Sequence, residues 1–440
     1  MFADMGRRLG GRLPKGSIAR KIITLASGTA LAQLVTICAM PVVTRLYTPA
    51  EIGVISLFLS FFVFWSAALS LRYEYALLIA QDDAESHVIR RLAVVLVVMM
   101  SVLGMPVLWG LYRFDVLGFG LLPDWAPIMA VPILLGFGVF MVYRSWALRA
   151  GMVGAITKAS VARSVANAGT RILLGLAGGA LVALFAAEVA GACCAMLKLV
   201  RDVGRHFSST RPKAITRGDL TRVSRKFVKF PLFETPSAWV NQLSLALPVP
   251  LVATLHGATA AGWFGLARLM VAVPNTQIGG AVADVFQMEL ANAVIAGNTA
   301  DARRLFYRLM GKLALIGVLP LCGVMILGPW LVPWIFGSKW SEAGVAAAVI
   351  SPWLYAGLIV SPLSRALSVL QAQEFKLIYD FCALLLLAGA YLVSKIWDYS
   401  FLHTIVAISV AGFISYAIYA FVLIAVVERH LSNIYLHRHP

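Results

Sequence analysis

Residues 88–112 read VIRRLAVVLVVMMSVLGMPVLWGLY. After Arg91 nothing in this stretch is charged as far as Tyr112. A helix rises 1.5 Å per residue, so about 20 apolar residues cross a hydrocarbon core about 30 Å thick. A transmembrane strand would alternate apolar and polar residues, whereas Val94, Val95, Leu96, Val97 and Val98 follow one another without a break. Similar runs recur along the whole chain. Of its 440 residues 60% are hydrophobic and 13% charged, against about 45–50% and about 25% in a soluble domain. An ordinary soluble enzyme is excluded, and so is a disordered chain. The expected fold class is all-α, a polytopic membrane protein with about 12 transmembrane helices.

The expected spans are 22–46, 52–72, 88–112, 126–147, 156–177, 179–199, 231–255, 259–289, 310–335, 343–370, 376–397 and 401–427. The fifth is the least hydrophobic and the eighth the longest. The formal charge of +17 would suggest nucleic acid in a soluble protein. Here the basic residues cluster in short loops, which is the positive-inside pattern. Arg90, Arg91, Arg149, Lys158, Arg303, Arg304, Arg308 and Lys312 fall on one side, with the N-terminal Arg7, Arg8, Arg12, Lys15, Arg20 and Lys21. The other side shows little beyond Arg45, Arg113, Lys339 and Lys395. Both termini are therefore expected in the cytoplasm, and the first apolar run reads as an uncleaved span. No nucleic-acid partner is expected.

An internal repeat suggests two halves. Residues 28–58 (GTALAQLVTICAMPVVTRLYTPAEIGVISLF) align without a gap on 237–267 (SAWVNQLSLALPVPLVATLHGATAAGWFGLA). Gln33 matches Gln242, Pro41 matches Pro250 and Gly53 matches Gly262. The offset equates the first span with the seventh, a parallel repeat of the kind transporters use, with substrate bound between the halves. The expected organisation is an N-terminal six-helix lobe (1–199), a basic cytoplasmic linker (200–229) and a C-terminal six-helix lobe (230–440), the lobes forming two pseudo-twofold bundles. The linker holds Arg201, Arg205, Arg211, Lys213, Arg217, Arg222, Arg225, Lys226 and Lys229. It reads as a topology anchor on anionic lipid, or as a hinge.

Charge inside a bilayer costs at least about 2.5–3.5 kcal/mol and so faces a partner or water. In the fifth span Ser160, Arg163, Ser164, Asn167, Thr170 and Arg171 share one helical stripe. Two guanidiniums on one face with no acid beside them call for an anion; snorkelling to headgroups is the plainer reading and suits Arg163 better than Arg171. Glu234, Ser237, Asn241 and Ser244 repeat the pattern in the seventh span, with Gln242 adjacent. Gln33 lies in the first span; Arg268 and Asn275 lie in the eighth. Arg72 ends the second, where it can pair with Glu74. The candidate substrate-binding residues are thus Arg163, Arg171, Arg268, Arg72, Asn167, Gln33, Asn241, Gln242 and Asn275. Helix–helix hydrogen bonding explains the neutral ones equally well. Glu188, Glu234, Asp284 and Asp380 are the buried acids, each a candidate for a coupling cation or for pairing with an arginine. Glu234 is the choice for ion coupling, because it shares a stripe with Asn241.

No P-loop, G-x-S-x-G or H-E-x-x-H occurs. The five cysteines lie in apolar runs, and His437 and His439 form the one close His pair, a solvated tail. No catalytic residue, metal site or cofactor is expected, and the protein is not read as an enzyme.

Several segments resemble the polysaccharide repeat-unit (O-antigen and exopolysaccharide) flippases of the multidrug/oligosaccharidyl-lipid/polysaccharide superfamily. They are PVVTRLYTPAEIG at 41–53, RYEYAL at 72–77, FGSKWSEAG at 336–344, SPWL at 351–354 and SPLS at 361–364. The resemblance implies a V-shaped pair of six-helix bundles in the bacterial inner membrane. It implies transfer of an undecaprenyl-pyrophosphate-linked oligosaccharide to the periplasmic leaflet by alternating access, driven by an ion gradient. The partners would be that lipid-linked oligosaccharide and membrane lipids, with a polysaccharide polymerase and a chain-length regulator as candidate protein partners. The rivals are a peptidoglycan-precursor flippase, which commonly has two more spans, and a cation-coupled drug exporter, whose cavity should be acidic.

Overall fold

A computed structural model describes residues 18–207, 215–370, 372 and 374–438, without the side chains of 18–26, 272–278, 281, 284, 377 and 432–438. Arg7, Arg8, Arg12, Lys15, Arg211, Lys213 and His439 lie outside the described residues, as do the side chains of Arg20, Lys21, Asn275, Asp284 and His437. Every regular element among the described residues is helical. In hydrocarbon a backbone must satisfy its own hydrogen bonds, and a helix does so within one segment.

Helix α1 (Ile18–Leu46) carries Pro41, and α2 (Pro49–Ser66) follows at once. The sequence Thr48-Pro49-Ala50-Glu51 explains the sharp restart. Thr48 Oγ1 accepts the Glu51 amide at 3.3 Å, and Glu51 Oε2 accepts the Thr48 amide at 2.7 Å. This capping box, with Pro49 preset for the first helical turn, satisfies donors that otherwise have no partner.

Helix α2 ends at Ser66, earlier than its expected limit of 72. Residues 67–72 form successive turns, with Leu71 (φ 47°) and Arg72 (φ 64°) in the left-handed region. The four-residue α3 (Tyr73–Ala76) and a 3₁₀ turn (Leu77–Ile79) follow. Local polar pairing among Ser70, Arg72 and Glu74 holds the chain in these turns.

Helix α4 (Asp83–Arg113) begins on the Asp82 side chain, which accepts the Glu85 amide at 2.6 Å. Then come α5 (Ala126–Arg149), α6 (Val153–Leu176) and α7 (Ala180–His206). The described part of the expected linker is the end of α7 and the short α8 (Arg217–Lys226). Helix α8 has its own capping box, between Thr216 and Asp219. Those hydrogen bonds, led by the Thr216 amide, hold the Asp219 carboxyl below its usual range. Helix α8 is tied down rather than loose. The Tyr73 hydroxyl donates to the Ser224 carbonyl at 3.0 Å, and Lys226 pairs with Glu85.

A π-helical turn (Phe230–Glu234) leads into α9 (Thr235–Ala246). Helix α10 (Pro248–Ala296) is nominally 49 residues long but is broken at Gly257 (φ 77°, ψ −175°). That break separates the seventh span from the eighth. The rest are α11 (Thr299–Phe336), α12 (Ser341–Leu363), the short α13 (Arg365–Val369), α14 (Glu374–Ile396) and α15 (Phe401–Arg438).

Ten stretches among the described residues are long and apolar enough to cross a membrane, with Phe230–Val271 taken as one. Dividing that stretch at Gly257 and adding α6, which its polar stripe makes less hydropathic, agrees with about twelve spans in two bundles.

Contacts divide the chain between Gln242 and Leu243. In the first unit α6 packs on α1 and α7, and α5 packs on α4 and α7. In the second, α12 packs on α11, α10 and α15, and α14 packs on α15. The α4–α5, α5–α7 and α6–α7 pairs thus recur as α11–α12, α12–α15 and α14–α15, six spans later. Those three pairs follow the parallel repeat, whereas the close α1–α6 packing of the first unit and the close α10–α12 packing of the second are not matched to the same extent.

Gly257 has open space where a Cβ would lie, so only its backbone angles demand glycine. Gly257→Val should lower stability by about 1–3 kcal/mol, read as thermal unfolding of the detergent-solubilised protein. Gly154→Ala, in helix α6 and also with open space, should be neutral or stabilising by about 0.5–1 kcal/mol.

Candidate functional site

Each unit buries arginine in a different way. In the first unit the α6 stripe is half-buried, while Val165 and Leu173 on the opposite face are 52% and 70% exposed. Val161, Ala162, Ala166 and Ile172 on that opposite face are half-buried too, so the outward side of the helix is the narrower strip of Val165 and Leu173. The acid that sequence spacing could not place beside Arg171 comes from the next helix. Arg171 Nη2 donates to Glu188 Oε1 at 2.6 Å. Asn167 Nδ2 donates to the same oxygen at 3.0 Å and lies 3.2 Å from the Ala187 carbonyl.

This convergence depends on a close helix contact. A Cβ added at Gly191 of α7 would lie 3.2 Å from the Arg163 carbonyl and from Asn167 Cβ. Small residues at such crossings allow backbones to approach. The second restraint on α6 is Tyr47, whose hydroxyl donates to the Arg171 carbonyl at 2.6 Å. A Cβ at Gly175 would come within 2.7 Å of that hydroxyl, so glycine there admits the tyrosine. Burial pushes the Tyr47 phenol up, opposed by the nearby Arg171 charge. Arg171 Nε is buried with no hydrogen-bond partner among the described residues.

Arg163 is placed differently. Its guanidinium carbon lies 5.1 Å from the Phe137 ring centroid on α5, within cation–π range. Gln33 is half-buried on α1, the helix packed against α6. Arg72 lies in the left-handed turn after α2, 3.8 Å from Glu74 and 3.1 Å from the Tyr75 hydroxyl. Asn241 and Gln242 are half-buried on α9, whereas Glu234 is exposed in the π-turn. Trp239, on the same helix, stacks on Phe64 at 5.8 Å. The structure thus brings Arg163, Asn167 and Arg171 onto one face and places Gln33, Arg72, Asn241, Gln242 and Glu234 on other elements of the first unit.

In the second unit Arg268 is half-buried on α10. Tyr416 of α15 lies beside it and is hydrogen-bonded with Ser361 of α12 and Tyr379 of α14. Tyr379 stacks on Tyr419 at 3.8 Å. None of the ion pairs among the described residues involves Arg268. Asp380 is engaged by Lys376 at 2.8 Å, one turn away. The tyrosine–serine surroundings were not legible from sequence, because α10, α12, α14 and α15 bring them together from distant segments. No group of three or more His, Cys, Asp or Glu suited to a metal occurs among the described residues.

Helices of this number and length, in two units, define a multi-pass membrane protein, and their arrangement is the fold of the MOP superfamily. An inward-facing multidrug-resistance MATE transporter of that superfamily is similar over 91% of this chain and 95% of its own, with TM-score 0.68 and 16% identity. A MOP-superfamily transporter from Pyrococcus furiosus is similar over 93% and 96%, with TM-score 0.58 and 15% identity; the reversed polarity of its binding pocket suggests a different function for that protein. An Escherichia coli K12 relative, lipopolysaccharide biosynthesis protein WzxC, is 29% identical over 115 residues. That alignment covers 26% of this chain and 23% of the relative's length. The family model described as "Polysaccharide biosynthesis protein" matches residues 42–345, and the chain belongs to that family.

Breaking a buried ion pair from one side leaves an uncompensated charge and costs about 3–5 kcal/mol, while replacing both partners by apolar groups costs far less. Glu188→Ala should therefore destabilise more than the double change Arg171→Leu with Glu188→Leu. Thermal unfolding of the three proteins in detergent decides this.

Proposed function

We propose that this protein carries undecaprenyl-pyrophosphate-linked oligosaccharide repeat units from the cytoplasmic to the periplasmic leaflet of a bacterial inner membrane. It does so by alternating access coupled to an ion gradient, with both termini in the cytoplasm. The N-terminal lobe is 1–199 and the C-terminal lobe 230–440, joined through 200–229. The observation that carries the reading is Arg268, a half-buried arginine beside Tyr416 that belongs to none of the described ion pairs.

A lipid-linked sugar pyrophosphate has an anionic head that cannot cross hydrocarbon unaided. Arginine suits phosphate through its planar fork of donors, and tyrosine, serine and amide groups suit a glycan. The substrate-binding set is Arg163, Arg171, Arg268 and Arg72, with Asn167, Gln33, Asn241, Gln242 and Asn275. Arg171 stands apart within that set, because Glu188 already answers its charge. A phosphate must therefore displace or share that carboxylate, which favours weak binding and release. Glu234 is the ion-coupling acid. A cationic-drug exporter would present unpaired acids, whereas Glu188 and Asp380 are each held by a basic residue.

Arg268→Ala should lower surface polysaccharide at least about tenfold, as loss of a charge-assisted hydrogen bond predicts, with protein still present in the membrane. Arg268→Lys should restore it only in part, because an ammonium keeps the charge without the fork. Normal polymer in the alanine variant would remove the basis of the reading. In vesicles, Glu234→Gln should abolish the dependence of transport on the ion gradient.

A further inference from the structure

The turn between α2 and α4 buries a carboxylate that the transport reading does not use. Glu74 is 5% exposed, beside Ser70 at 6% and Tyr73 at 4%. Ser70 donates its hydroxyl to Glu74 Oε2, and Arg72 Nη1 lies 3.8 Å from Glu74 Oε1. Leu71 and Arg72 are two successive non-glycine residues in the left-handed region. Such conformations persist only where the surroundings over-determine them. Arg72 Nε is buried with no hydrogen-bond partner among the described residues. The attraction of Glu74 and the Tyr75 contacts therefore hold Arg72 in its strained backbone.

We propose that Glu74 is a proton-binding site, and that its protonation releases Arg72 and relaxes the left-handed turn at Leu71–Arg72. Tyr73 carries the change onward, because its hydroxyl is bonded to the Ser224 carbonyl of α8.

The elements packed against α3 are α4, α5, the 3₁₀ turn and the π-turn, and most of their charges are engaged elsewhere. On α4, Glu85 pairs with Lys226, Arg90 donates to the Tyr143 hydroxyl of α5 at 2.9 Å, and Arg91 reaches the Ile215 carbonyl at 3.5 Å. His87 lies between the Trp146 and Phe207 rings. On α5, Arg149 is held by the Ala80 carbonyl at 2.6 Å and by Asp83 at 3.7 Å, and Arg144 is half-buried. The 3₁₀ turn has no titratable group, and the π-turn brings the exposed Glu234. Among these charges Arg72 is the one that acts on Glu74.

Burial pushes the Glu74 carboxyl up, against smaller opposing pulls from Ser70, its own amide and Arg72. Between the ordinary carboxylate value of about 4.3 and the raised one, the folded chain keeps a proton that the unfolded chain has lost. Against the unfolded chain this group's contribution to stability therefore declines as pH rises through that window; a turn that keeps Glu74 buried but has lost Arg72 binds the proton more tightly still, so acid favours the released turn over the closed one.

The test is amide hydrogen exchange of residues 67–79 in the full-length protein in detergent. It is measured from about pH 4 to about pH 8 and corrected for intrinsic rates. Exchange should rise about fivefold or more at the acid end, equivalent to losing roughly 1 kcal/mol of local protection. In Glu74→Gln it should be fast and pH-independent. Equal protection of the wild-type segment at both ends overturns the proposal even if the variant does not fold. Unaltered pH dependence in a folded Glu74→Gln overturns it too. The readout needs no glycan, so it stands or falls separately from the identity of the transported lipid.

Discussion

A guanidinium removed from water must be answered, and the first unit is arranged around that demand at Arg171. Isolated burial of such a charge is prohibitive, so Glu188 comes to 2.6 Å and Asn167 joins at the same oxygen. For the two helices to lie that close, α7 presents Gly191. For Tyr47 to fix the carbonyl of Arg171, Gly175 must lack a side chain. One electrostatic requirement thus sets residue choice on three segments. The second unit meets a similar demand with hydroxyls. Arg268 is flanked by Tyr416, which is linked to Ser361 and Tyr379. A phenol beside a cation does not cancel its charge, and Arg268 belongs to none of the described ion pairs, so it retains more of its attraction for an anion than Arg171 does.

The helices were the most legible part of the fold. Long apolar runs carry their own length argument, and each of the twelve expected spans falls mainly on helix, the second for 52–66 only. The least hydrophobic span, α6, proved to owe its low hydropathy to the polar stripe that faces protein. The division of Pro248–Ala296 at Gly257 falls in the gap expected between the seventh span, ending at 255, and the eighth, starting at 259. The early end of α2 was missed because Ala67, Ala68, Leu69 and Leu71 extend the apolar run, while the turns that replace the helix are fixed by Ser70, Arg72 and Glu74 acting on one another.

Site geometry was legible only within single helices. Helical periodicity put Arg163, Asn167 and Arg171 on one face, where the structure also has them. It could name Glu188 as a candidate partner but could not choose it among the acids, because that choice depends on the register of α7 against α6. The tyrosines near Arg268 were less accessible still, since they come from α14 and α15. The family resemblance, carried by short motifs such as TPAE at 48–51, has a physical basis in at least that case: the motif is a capping box that restarts the chain as a new helix.

The π-turn at Phe230–Glu234 accommodates one residue more than an α-turn, with the Thr235 amide reaching back to the Phe230 carbonyl. Each residue of an α-helix advances the side chains by about 100°. Removing a single residue inside that turn converts it to ordinary helix and leaves the flanking segments facing their present neighbours. The same deletion inside α9 would swing everything beyond it by more than a quarter of a revolution. Length changes in this part of the chain are therefore absorbed at one spot and nowhere else along it.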